Sequence, residues 1–151
     1  MIIWSIYDIG RWLVEAPSNN PLQKVLNIPI TLSKSKLSNT SKEFVTAVII
    51  HELVHAYFKA TGQKYDFDHN IMANNYVHLF ATYLSSLYGL SERDSIALAW
   101  LGIPDSEYFK QNNIFNYANG YIEKNEMLRL GIDYATTERN LSSLGHPTCD
   151  Y

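Results

Sequence analysis

The chain has 151 residues, of which 46% are hydrophobic and 18% charged, which excludes a disordered chain and predicts a single folded domain over residues 1–151. The net charge is −3 and no basic block is present, so we expect no nucleic-acid partner. Cys149 is the sole cysteine, which excludes an intrachain disulfide framework and a multi-cysteine zinc ribbon and leaves an inert thiol as the expectation.

The N-terminal residues carry no recognisable targeting signal. Asp8 and Arg11 interrupt the apolar start from Met1 to Trp4 too early for the core of a signal peptide, and no apolar run is long enough for a transmembrane segment. We therefore expect no membrane partner. The expected location is the cytoplasm if Met1 is the natural start, and the protein is expected to be secreted if the chain is the excised domain of a larger effector.

A strand is the first element that the sequence predicts. Apolar residues alternate over Ile28–Ser33, with Ile28, Ile30 and Leu32 on one face, as in a half-buried strand. Pro29 cannot donate a hydrogen bond to a sheet, so this strand should lie at an edge or begin at the proline.

A long helix should follow this strand. The run Thr40-Ser41-Lys42-Glu43 has the form of a capping box, in which a hydroxyl at the N-cap is followed three residues later by a glutamate. The helix should continue to about Thr61 and end at Gly62. Because residues 44–50 are apolar nearly all round, we expect this helix to be central and buried.

The second half of the chain is predicted to be mostly helical. Asp68 is a suitable N-cap for a second long helix, and Ser91 is suitable for a third. Gly89 should end the second helix, and Gly102 and Pro104 should stop the third. The predicted helices cover approximately Asn70 to Tyr88, Ser91 to Trp100, Asp105 to Gln111 and Ile122 to Asp133, with a loop from Asn112 to Gly120.

The motif with chemical content is His51-Glu52-Leu53-Val54-His55, within the first helix. Two histidines four residues apart lie on one face of a helix, so both imidazoles can reach a single zinc ion. Glu52 falls beside that face, where it can take a proton from a zinc-bound water without ligating the metal. The motif therefore predicts a zinc-dependent hydrolase in which Glu52 is the general base and passes the proton to the leaving amine.

The surroundings of the motif favour this interpretation. The residues that flank Glu52 are uncharged, so it is the one acidic group in the apolar middle of the helix. Burying a lone carboxylate there costs on the order of several kcal/mol unless a cation is close. The alternative interpretation is structural, with two core histidines and a solvent-facing Glu52.

A catalytic zinc ion usually has three protein ligands, so one more ligand must come from elsewhere in the chain. The longer metzincin motif needs a glycine and a histidine at positions where this chain has Phe58 and Thr61. The thermolysin-like glutamate on the next helix is also missing, because no glutamate lies between Leu53 and Ser91.

His69 is the predicted third ligand. It stands at the start of the second helix, after a loop short enough to fold back, and Asp66 and Asp68 could orient an imidazole there. His78 lies about half a helical turn around from His69, so the two cannot face one metal. Asp66, Asp68, His78 and a C-terminal residue such as His146 stay open as alternative ligands.

Several segments together resemble the SprT-like and related small zincin metallopeptidases, especially bacterial forms. The resemblance covers roughly residues 28–103 and rests on Ile30-Thr31-Leu32, Leu37-Ser38-Asn39, Val48–Tyr57, Asp68–Tyr76 and Ala97–Gly102. It implies a small N-terminal sheet packed on the HExxH helix and a metal ligand at His69. Many such proteins are C-terminal domains of secreted or Rhs-type toxins. This chain lacks the zinc ribbon and basic segments of the DNA-linked members, so a role in DNA repair is not expected.

The sequence thus predicts an α+β, helix-rich zincin-like domain that binds one zinc ion through His51, His55 and His69. With Glu52 as the catalytic base, it should hydrolyse a peptide or related amide bond. The expected partners are a protein or peptide substrate and, for a toxin domain, an upstream carrier protein or an inhibitor or immunity protein. The alternative function is a non-catalytic binding module stabilised by zinc, which has no use for a buried carboxylate beside the metal.

Overall fold

Six α-helices and one β-hairpin make up the part of the chain that the computed structural model describes, which is Ile30, Leu37 and residues 40–62 and 68–136. The predicted helix-rich α+β class is confirmed. None of these helices is long and apolar enough to span a membrane. The elements are α1 (Lys42–Thr61), α2 (Asp68–Asn75), α3 (Val77–Tyr88), α4 (Glu92–Trp100), α5 (Glu107–Gln111), β1 (Ile114–Tyr117), β2 (Gly120–Glu123) and α6 (Lys124–Ala135).

Helix α1 begins one residue later than the predicted capping box places it. Ser41 is the N-cap, and its hydroxyl accepts a hydrogen bond of 3.0 Å from the Phe44 N–H. The Thr40 hydroxyl instead donates to the Leu37 carbonyl. At the other end the prediction is confirmed, because Gly62 adopts the left-handed conformation that glycine tolerates best, with φ 77°.

The predicted second long helix is divided into two. Tyr76, with φ −119°, separates α2 from α3, although its N–H and carbonyl still bond to Met72 and Phe80 as in a helix. The apolar pattern continues across Tyr76, so the sequence alone predicts one helix. Asp68 also differs from its prediction as an N-cap: it is the first residue of α2, and its carboxylate faces His55.

Strand β1 and the first residue of β2 lie where the sequence predicts a loop, so the prediction for 112–120 is wrong. The predicted helix from Ile122 also begins later, at Lys124, because Ile122 and Glu123 belong to β2. Strands β1 and β2 pair antiparallel, with the buried Phe115 opposite the buried Ile122. Each strand has only four residues, which is too short for alternation to stand out in the sequence. The predicted N-terminal strand Ile28–Ser33 lies outside the described residues, apart from Ile30, which is not in a strand.

The main hydrophobic core is built chiefly from α3, α4, α6 and the hairpin, and one buried side chain each from α1, α2 and α5 also enters it. Trp100 of α4 packs edge-on against Phe115, with ring centroids 4.8 Å apart. Helix α1 is less buried than predicted, because within residues 44–50 only Val48 is fully buried and the others are half-buried. Ile50 and Val54 nevertheless pack against the core, and this contact fixes the orientation of the helix that carries the motif.

Candidate metal centre

Helix α1 presents two histidines on the same face. His51 and His55 are one helical turn apart, and their Nε2 atoms are separated by 2.9 Å. His51 is buried, and the side chain of His55 is only 10% exposed. Both rings are thus shielded from bulk water. Electrostatic interactions in such a shielded site are stronger than at an open surface.

Helix α2 brings a third imidazole to this pair. His69 is in the first turn of α2, and its Nε2 atom lies 3.1 Å from the Nε2 atom of His55. The possible ligand atoms of His51, His55 and His69 all lie within 4.8 Å of one another. The three histidines that the sequence predicts as ligands are therefore brought together.

Two carboxylates face the outer nitrogens of these rings. Asp68 Oδ2 lies 3.1 Å from His55 Nδ1, and Asp105 Oδ1 lies 2.6 Å from His69 Nδ1. An ionised carboxylate can only accept a hydrogen bond, so the Nδ1 atom of each ring carries the proton. The Nε2 atom of each ring then keeps a free lone pair, which is the form that binds a metal.

The inward-facing nitrogens meet as acceptors. With Nδ1 protonated on His55 and on His69, neither Nε2 atom can donate to the other across the 3.1 Å that separates them. Two lone pairs at this distance repel each other unless a positive charge lies between them. Either a proton or a metal cation can provide that charge.

Burial works against the proton. The pKa of His51 lies well below 6.5, chiefly because the ring is buried, and the neighbouring His55 and His69 lower it further. Burial also lowers the pKa of His55, although the hydrogen bond to Asp68 acts in the opposite direction. Neutral imidazoles at physiological pH are ready to bind a metal without first losing a proton.

The spacing and the donor set fit a metal ion. Tetrahedral bonds of about 2.0–2.1 Å from zinc to nitrogen place the ligand nitrogens about 3.3 Å apart, close to the observed separations. Asp68 Oδ1 is buried and has no hydrogen-bond partner among the residues that the structure describes. A cation held by the adjacent histidine would offset the cost of burying that carboxylate. The three histidines could therefore hold a metal ion.

Gly102 gives His51 the space that it needs. A Cβ atom at this position would lie 2.8 Å from His51 Nδ1, which is too close for a side chain to be accommodated without movement. The φ angle of Gly102 is 115°, a conformation that other residues rarely adopt. Gly102 follows α4, where the sequence predicts a helix end. Its close approach to the ring of His51 is a second role, which the sequence does not indicate.

Glu52 lies next to the ligands in α1 but does not belong to the ligand group. The residue is 4% exposed, and no hydrogen-bond or ion-pair partner for its carboxylate exists within the described ranges. Burial raises the pKa of the Glu52 carboxyl to about 7. A carboxyl group with a pKa in this range can take up and release a proton at neutral pH.

Of the other residues considered as ligands, the two that the structure describes, His78 and Asp68, are not part of this group. His78 is exposed on α3 and stands outside the cluster, as predicted. The remaining candidates Asp66 and His146 lie outside the described residues, as does Cys149, the predicted inert thiol. The Asp68 carboxylate contacts the Nδ1 atom of His55, so Asp68 serves as the orienting carboxylate that the sequence analysis considered.

Sequence reasoning misses the contact made by Asp105. It is 36 residues from His69 in the chain, and the two meet only because the connection between α4 and α5 packs beside α2. The sole signal in the sequence is that Asp105 follows Gly102 and Pro104, which indicates an exposed turn but says nothing about its neighbours.

Comparison with known proteins gives no family assignment. No protein-family model, no curated protein and no solved structure matches this chain. The resemblance to SprT-like zincins thus stays a prediction, and function is to be inferred from the geometry of the site.

Proposed function

We propose that this chain is a zinc-dependent peptidase that hydrolyses peptide or related amide bonds, with zinc held by His51, His55 and His69. The observation that carries the proposal is the convergence of three imidazole side chains, each offering one ligand nitrogen, beside a buried glutamate that is not itself part of the group. Three protein ligands leave a fourth position open, which is the arrangement typical of catalytic zinc sites.

A zinc ion held there would supply Lewis acidity, polarising the scissile carbonyl and lowering the pKa of water. Glu52 supplies the proton-transfer group. Its pKa of about 7 without metal would fall beside a cation, so the carboxylate is ionised and accepts a proton at neutral pH. The same carboxyl can then deliver the proton to the nitrogen of the leaving amine.

The second candidate is a binding module that uses zinc only for structure. Glu52 argues against it, because burying a carboxylate without a partner among the described residues destabilises the fold and serves no structural purpose. Structural zinc sites also tend to close with a fourth protein ligand, whereas the described residues bring only three side chains together.

The biological setting that we propose follows the sequence resemblance. The substrate is a protein or peptide. If the chain is the toxic domain of a secreted effector, an upstream carrier protein and an inhibitor or immunity protein are its partners. No nucleic acid or membrane enters this proposal.

Glu52→Gln tests the proposed chemistry. The amide keeps the size of the side chain but cannot accept the proton, so we expect one zinc per chain by metal analysis and complete loss of cleavage of fluorescently quenched, denatured casein. Glu123→Gln, on the exposed face of β2, is the matched control and should cleave as the wild type does. Equal cleavage by Glu52→Gln would remove the glutamate from the mechanism. A wild-type protein that binds zinc but cleaves neither casein nor a mixed peptide library would favour the binding module.

A further inference from the structure

We propose that Asp105 is a positioning residue that fixes the ring of His69 for metal binding, so that the connection between α4 and α5 forms part of the metal centre. This inference rests on the metal site of the proposed function. It adds a role for a residue that is neither a ligand nor a proton-transfer group.

The three histidines are held in different ways. His51 is buried against the backbone of Gly102, and His55 is anchored by Asp68, whose side chain is only 4% exposed. The side chain of His69 is 21% exposed, so packing restrains it least. Its ring would be free to turn towards solvent if nothing held its outer nitrogen.

Asp105 provides that restraint. The Nδ1–H of His69 donates to Asp105 Oδ1 over 2.6 Å, a short bond of the kind expected when the acceptor is charged. A second bond beside it joins the same two parts of the chain, since the N–H of Glu107 donates to Asn70 Oδ1 over 2.7 Å. Two consecutive residues of α2 are thus attached to the start of α5 and the turn that precedes it.

The Asp105 carboxylate can act on the ring in two ways. By accepting from Nδ1, it keeps the proton off Nε2, so the lone pair faces His51 and His55. Its negative charge also makes the imidazole a stronger electron donor towards a cation. Asp105 is 52% exposed and does not belong to the ligand group, so it acts without ligating the metal, and its one hydrogen bond to the group is to His69.

The first test needs no metal. In chelator-treated protein at pH 8, ¹⁵N-correlated NMR of the histidine rings should show His69 protonated on Nδ1 in the wild type. In Asp105→Ala the proton should move largely to Nε2, which is the favoured position in a histidine side chain that makes no other hydrogen bond. An unchanged tautomer in Asp105→Ala would overturn the proposal, whatever the metal affinity.

The second test measures zinc affinity by competition with a chromogenic chelator. Loss of an outer carboxylate typically weakens metal binding by about 10- to 100-fold, and we expect this for Asp105→Ala. Asp105→Asn keeps an oxygen acceptor for Nδ1–H and should recover part of that loss. Asp133→Asn, on α6 and paired with Arg129, is the control and should bind zinc as the wild type does.

The outcomes separate this inference from the proposed function. If Asp105→Ala is folded by circular dichroism and binds zinc as tightly as the wild type, Asp105 has no positioning role while the peptidase proposal stands. If Asp105→Ala loses affinity but the wild type shows no hydrolysis, the positioning role stands and the peptidase proposal fails. A wild-type protein that binds no zinc would contradict both.

Discussion

Replacing Glu52 with glutamine should change the stability of the metal-free protein in a way that depends on pH. Burial raises the pKa of this carboxyl from 4.5 to about 7, so between these values the folded protein holds a proton that the unfolded chain has released. The contribution of Glu52 to the free energy of unfolding therefore falls as the pH rises through this range and levels off above it. Glutamine has no proton to release, so the variant lacks this loss of stability.

The magnitude follows from the two pKa values of Glu52. Each pH unit between them corresponds to about 1.4 kcal/mol, so keeping the carboxylate ionised inside the metal-free fold costs about 3 kcal/mol at pH 8. The residue as a whole is 4% exposed, but its carboxyl oxygens are not sealed from solvent, so screening by water makes this value an upper bound. Domains are typically stable by only about 5–15 kcal/mol, so the effect is large enough to measure.

Urea denaturation in the presence of a chelator measures it directly. Between pH 5 and pH 8, the stability of Glu52→Gln relative to the wild type should rise by about 2–3 kcal/mol. The histidines titrate in both proteins, so their contribution largely cancels. Adding zinc at pH 8 should shrink the difference, because a cation stabilises the ionised carboxylate. A difference that is flat with pH, or that grows on acidification, would refute the buried position of Glu52.

Three further substitutions test other parts of the structure. Gly102→Ala places a methyl group against the ring of His51 and should weaken zinc binding in chelator competition. Gly89→Ala is the control, because Gly89 also has a positive φ but a Cβ atom there would meet nothing within 4 Å. It should cost about 1 kcal/mol of stability and leave the zinc affinity unchanged. His69→Ala should weaken zinc binding by orders of magnitude and the exposed His78→Ala should not, in the same assay; the reverse result would reject the ligand assignment. Leu84→Ala, at a position 0% exposed, should lower the unfolding free energy by about 2–5 kcal/mol in urea, and a loss below 1 kcal/mol would contradict its burial.

The cluster of three histidines could be predicted because the geometry that joins them is local. A spacing of four residues in a helix places His51 and His55 on one face whatever the rest of the fold does. His69 follows because it is the first imidazole after a short connection from the end of α1. Asp105 and Gly102 could not be assigned their contacts, since these depend on how the turn after α4 packs against α1 and α2.

The elements of the fold show the same distinction. Ser91 and Gly89 mark helix ends through local cap chemistry, and both predictions are confirmed. The spacing to Glu43 favours Thr40 as the N-cap, but Ser41 also carries a hydroxyl and is the N-cap in the structure. Ser41 also donates its N–H to the carbonyl of Tyr134 in α6, a tertiary contact that no local pattern contains. The hairpin likewise depends on packing against α4 rather than on its own short strands.

The ligand set of the bound metal can be measured directly by X-ray absorption at the zinc edge, on protein loaded with one equivalent of zinc. We predict three imidazole nitrogens at about 2.0–2.1 Å and one further light atom from solvent, with no sulfur. The His69→Ala variant should lose one imidazole from the spectrum. A sulfur ligand at about 2.3 Å, or a site with fewer than three imidazoles in the wild type, would contradict a centre built from His51, His55 and His69.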